Sequence, residues 1–128
     1  MASTLYGAAA EYLRTRFRGE LRESESNPTI GTAATTIAES NPDRLSLQFT
    51  NLSANVIYIG LAETVSASNG IRLDMNGGGA SLSVEDDGML VTRQWYAMAS
   101  GAGSSAYVLE MSRFISSTQI TTNGVEEA

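Results

Sequence analysis

Past residue 31, apolar and polar positions alternate along most of the chain with the two-residue period of strands. LSLQFTN, Leu45–Asn51, sets Leu45, Leu47 and Phe49 on one face. VIYIG, Val56–Gly60, follows after the short connection LSAN, so the two read as a β-hairpin. GIRLDM, Gly70–Met75, points Ile71, Leu73 and Met75 inward, and ASLSV, Ala80–Val84, repeats the alternation through Leu82 and Val84. QWYAMA, Gln94–Ala99, carries the only tryptophan; alternation sends one of Trp95 and Tyr96 inward, and Trp95 reads as the core anchor. SAYVLEM, Ser105–Met111, is a further strand, with weaker candidates at Thr32–Ala38, Met89–Val91 and Ile115–Thr121.

Turn chemistry punctuates these runs. SNPDR at Ser40–Arg44, NGGG at Asn76–Gly79, EDDG at Glu85–Gly88 and SGAGS at Ser100–Ser104 read as turns, and NGGG calls for positive φ. Seven or eight short strands with turns every ten or so residues predict a mainly β protein, an antiparallel β-sandwich or small barrel. Its core candidates are Leu47, Phe49, Ile57, Ile59, Leu73, Leu82, Trp95, Val108 and Leu109. Val108 and Leu109 are adjacent, so only one of them faces a one-sided core.

The first residues follow a different period. Leu5, Ala9, Leu13, Phe17 and Leu21 recur every fourth position, which predicts a helix over Thr4–Glu23, weakened by Gly19. SESNPTIG, Ser24–Gly31, reads as a linker, because Pro28 blocks helix continuation. The expected organisation is a helical arm and linker over 1–31, a β domain over 32–121 and a polar tail over 122–128. Two roles stay open for the arm: packing on its own domain, or docking on another chain. In the second, a body starting near Thr32 keeps its fold. Leu13, Phe17 and Leu21 would then carry the contact, and Arg14, Arg16 and Arg18 would tune its salt dependence.

Composition narrows the chemistry. Among 128 residues there is no Cys, no His and no Lys, so all eight basic residues are Arg. That removes thiol nucleophiles, histidine triads, Schiff-base lysines and Cys- or His-ligated zinc. No residue is expected to be catalytic, and no cofactor or metal is expected. The formal net charge is −6, all of it past Asn27, since four arginines balance four glutamates before that point. An acidic body argues against nucleic acid as the main partner. No stretch approaches the roughly 18 apolar residues that cross a bilayer, and the N-terminus lacks a signal-peptide pattern. The expectation is a soluble protein made in a cytoplasm.

Local motifs read as structure. Glu85–Gly88 lacks the spacing of a calcium loop, and the glycine runs lie between strands rather than before a helix. Asn51-Leu52-Ser53 matches the glycosylation acceptor pattern but means nothing without a secretion signal. Carboxylate pairs are plentiful enough to keep a glycoside hydrolase as a minor alternative.

From about Asn41 to Met111 the chain resembles a β-sandwich module of tailed-phage virion proteins, through RLSLQFTNLSANVIYIG, SNGIRLDMNGGGASLSV and DGMLVTRQWYAMASGAGSSAYVLEM. The similarity is to small capsid decoration (cement) or head-fibre proteins. It implies no enzyme and no cofactor. It implies a homo-oligomer, with a trimer favoured, bound to the major capsid protein on the outside of the capsid. The alternative is a receptor- or glycan-binding module of a phage fibre or tail.

Overall fold

The computed structural model describes residue 8, residues 11–12 and residues 15–114. The expected strand at Ile115–Thr121 and the tail from Thr122 lie outside the described residues. Among the described residues, nine strands form two sheets: β1 Glu20–Ser26, β2 Thr29–Ile30, β3 Thr35–Ala38, β4 Arg44–Asn51, β5 Ile57–Gly60, β6 Ile71–Leu73, β7 Gly79–Ser83, β8 Trp95–Ala99 and β9 Ser104–Phe114. One sheet has the order β1-β9-β4-β7, with β2 also on β9, and the other runs β3-β8-β5-β6. The protein is mainly β and antiparallel, built as two sheets rather than a closed barrel.

The chain divides into two compact units, Glu23–Met111 and the two chain ends, Met1–Arg22 with Ser112–Ala128. Within Glu23–Met111 both sheets feed one buried cluster. Leu47, Phe49, Leu82, Ala106 and Val108 come from the first sheet, and Ile57, Ile59, Leu73, Trp95, Ala97 and Ala99 from the second. The Trp95 ring lies 5.9 Å from that of Phe49 at 56°, a tilted aromatic contact. Its indole N–H donates to the Leu90 carbonyl at 3.2 Å, so burial leaves no orphan donor. Eight of the nine expected core residues are buried; Leu109 is half-buried on the opposite face of β9 from Val108.

Several elements depart from the sequence reading. Leu45–Asn51 and Val56–Gly60 are not a hairpin: β4 pairs with β7, whereas β5 pairs with β6 and β8 in the other sheet. The cause is Asn51, which is fully buried at the corner. Its Nδ2 donates to the carbonyls of Asn55 at 2.7 Å and Leu73 at 3.0 Å. Its Oδ1 accepts from the backbone N–H and the hydroxyl of Ser53. This side-chain turn swings the chain from one sheet to the other.

Ile71 shares the inner face with Leu73, since it pairs with the core residue Ile59, but it is 46% exposed because β6 is an edge strand and the inner face runs out of cover there; Met75, past the end of β6, is 49% exposed. The NGGG turn has the expected backbone, with φ of 58° at Asn76 and 119° at Gly77. It is clamped to the corner by the Gly77 N–H on the Asn51 carbonyl at 2.7 Å.

Met89–Val91 is not a strand. Val84–Asp87 is a helical turn, followed by a 3₁₀ helix at Gly88–Thr92 that buries Val91. The Ser83 hydroxyl accepts from the Asp86 N–H, and the Asp87 carboxylate accepts from the Ser83 N–H, a reciprocal cap that starts the turn. The acidic run at Glu85–Gly88 thus serves a helix start.

The linker expected at Ser24–Gly31 is structured: Ser24–Ser26 end β1, and Ile30 in β2 is fully buried. β2 pairs antiparallel with Ser104 and Ser105. A body beginning near Thr32 therefore lacks two strands and a core residue.

Candidate attachment surface

Six residues were expected to carry partner contacts: Leu13, Arg14, Arg16, Phe17, Arg18 and Leu21. Leu13 and Arg14 lie outside the described residues. Helical geometry occurs at Ala8, Glu11, Tyr12 and Thr15–Phe17, and it stops there. Arg18 has φ 59°, a left-handed conformation that ends a helix, and β1 begins two residues later. Leu21, half-buried, sits on that strand. The row of every fourth residue is thus broken between Phe17 and Leu21, and the expected helix to Glu23 is corrected accordingly.

The reason is packing at Gly19, which is buried. A Cβ there would lie 2.8 Å from the Arg113 Cγ and 3.1 Å from the Phe114 carbonyl oxygen. The end of β9 approaches the backbone so closely that only glycine fits. The sequence did carry this signal, since Gly19 was the one poor helix former in the run.

The unit built from the chain ends brings arginines and aromatic rings together. The Arg16 guanidinium lies 5.4 Å from the centre of the Phe17 ring and donates to the Tyr12 hydroxyl at 3.4 Å. Arg113 donates to the Phe17 carbonyl at 3.4 Å. Arg22 stacks 3.7 Å from the centre of the Phe114 ring. Such stacking suits arginine, whose planar cation is weakly hydrated. Arg16, Arg18 and Tyr12 are exposed, and Phe17 is half-buried. The pairings of Arg22 with Phe114 and of Arg113 with Phe17 escaped the sequence reading because each spans more than ninety residues of chain.

On Glu23–Met111, a recess of about 310 Å³ is lined by Glu23, Glu25, Ser46, Leu109, Glu110 and Met111. Glu110 there is held by the buried Arg44 at 2.7 Å. Glu25 acts on Tyr107, whose phenol is pushed up from its ordinary pKa by desolvation first, then by the Glu25 charge and hydrogen bond. Among the described residues, no group of three or more acidic, His or Cys side chains is arranged to hold a metal ion. No helix among them is long and apolar enough to cross a membrane.

No family model matches the chain, and no curated protein matches it. Among solved structures, one of the Bacillus endospore appendages, described as a novel family of disulfide-linked pili, has a TM-score of 0.48 at 14% identity, covering 75% of this chain and 88% of that one. A dTDP-4-dehydrorhamnose 3,5-epimerase from Bacillus anthracis has a TM-score of 0.30 at 12% identity, covering 86% of this chain and 63% of that one. Likeness at these levels carries no statement about activity or partners.

Proposed function

We propose that this chain is a structural component of a virus particle: a decoration protein that binds the outside of a capsid shell and stabilises it, through the major capsid protein. On this reading it works by binding alone, as a homo-oligomer and most simply a trimer, and the residues ahead of Arg18 form a helical attachment arm. The observation that supports the reading is the division of the chain. Both ends leave the sandwich and make a compact unit of their own, rich in arginine and aromatic side chains. A sandwich with an appended unit suits lattice attachment, where modest contacts multiply over many copies. The sequence resemblance to phage decoration proteins points the same way.

The test is co-sedimentation of the full chain with purified phage capsids that lack it. The expected result is saturable binding, weakened about tenfold or more by Phe17→Ala, as losing a buried Phe contact implies. Binding to isolated glycans or host cells but not to capsids would replace this reading with a receptor-binding one.

A further inference from the structure

We infer that one end of the sandwich is a docking surface for the arginine-bearing terminal unit of a second copy of this chain. The inference rests on the homo-oligomer part of that reading and names the surfaces that would meet; shell attachment is tested apart.

Two stretches distant in sequence meet at that end. The Asn41 N–H donates to the Thr92 carbonyl at 2.9 Å. The Arg44 guanidinium donates to the carbonyls of Val91 and Arg93, each at 3.1 Å, and to that of Glu39. These bonds tie the loop at 39–43 to residues 91–93, and the helical turn Val84–Asp87 packs on β4 and on the 3₁₀ helix that leads into them. Glu39, Asp43, Glu85, Asp86 and Asp87 therefore gather at one end, half of the ten carboxylates in Glu23–Met111. Arg44 is buried and occupied, so it does not offset them at the surface.

The same end exposes apolar area. Met89 is 71% exposed and Leu90 is 41% exposed, while Val91 beside them is fully buried. The 3₁₀ turn needs only Val91 and the Leu90 carbonyl for the core, which leaves the Met89 side chain outside. An exposed, adaptable Met beside a charged rim is a contact surface rather than a core element.

Charge selects the occupant. Glu23–Met111 carries ten carboxylates and three arginines, net −7, whereas the two chain ends carry five arginines and four carboxylates, net +1. Acidic end against acidic end repels. The terminal unit instead offers exposed Arg16 and Arg18, with Tyr12 60% exposed for Met89 and Leu90 to pack on. A contact between two different surfaces repeats from copy to copy and closes into a ring when the rotation allows.

The experiment is sedimentation equilibrium of the full chain over a range of concentrations. A weight-average mass above that of one chain is expected. Asp86→Arg and Arg18→Asp should each weaken association about tenfold or more, since each sets like charges together. Position 18 tolerates Asp because Asp accepts positive φ. Combining both reversals should restore association. Met89→Ser, at an exposed site outside the core, should weaken it without changing the melting temperature. A monomer at every concentration overturns the inference, as does association that Asp86→Arg, Arg18→Asp and Met89→Ser all leave unchanged, or a double reversal no better than its parents. Capsid binding is scored apart, so losing it while the oligomer persists rejects the shell reading alone.

Discussion

Arg44 and Glu110 form a salt bridge at 2.7 Å in which the arginine side chain is 1% exposed and the glutamate 22%. The arginine also satisfies three backbone carbonyls, of Glu39, Val91 and Arg93, so all its bonds lie at one end of an apolar sandwich. A buried cation is tolerable only with such complete pairing.

Removing it should therefore be severe. Arg44→Met leaves the Glu110 carboxylate unpaired and three carbonyls short of a donor. The expected loss is about 3–5 kcal/mol in urea unfolding. Arg44→Lys should recover little, because a point charge cannot span the forked set of acceptors. Near-native stability of Arg44→Met would show that the pair is dispensable.

The corner at Asn51 makes a second prediction. Asn51→Ala strips the donors from the Asn55 and Leu73 carbonyls and should cost roughly 1–3 kcal/mol for each group left unsatisfied. The midpoint of chemical denaturation reads this directly.

Tyr107 gives a pH dependence. Its folded-state pKa is raised, so the folded protein holds the phenolic proton longer than the unfolded chain does. The associated stability is intact below the ordinary tyrosine pKa of about 10 and is lost as pH climbs through the raised value. Melting temperature should fall over that alkaline range, and Tyr107→Phe should flatten that part of the profile. An identical alkaline decline in Tyr107→Phe would assign it elsewhere.

Truncation separates the two units. Removing everything before Thr32 deletes β1, β2 and the buried Ile30. The truncated chain should lose cooperative unfolding, whereas full-length Phe17→Ala should keep its melting temperature within a few degrees. A folded, soluble protein beginning at Thr32 would contradict the role of β2 in the core.

How far the fold was legible follows from where alternation rules. Leu47, Phe49, Leu82, Trp95 and Val108 lie on strands covered on one face, so a two-residue period marks them. Ile30 and Val91 are equally buried, but a two-residue strand and a 3₁₀ turn have no period to read. Arg44 and Asn51 look like turn residues, and only the three-dimensional set of acceptors explains their burial. Strand partnership was hidden for the same reason, since Asn51 converts an apparent hairpin into a crossing between sheets. In the terminal unit, Gly19 was visible as a helix weakness. What it accommodates, Arg113 and Phe114, lies at the other end of the chain.

Electron microscopy of intact particles tests the central claim most directly. The account predicts ordered density for this chain on the outer face of the capsid, repeated at symmetry-related positions in hundreds of copies, with Phe17 of the terminal unit against the shell. Absence from the shell, or a few copies confined to a fibre or tail tip, would contradict it.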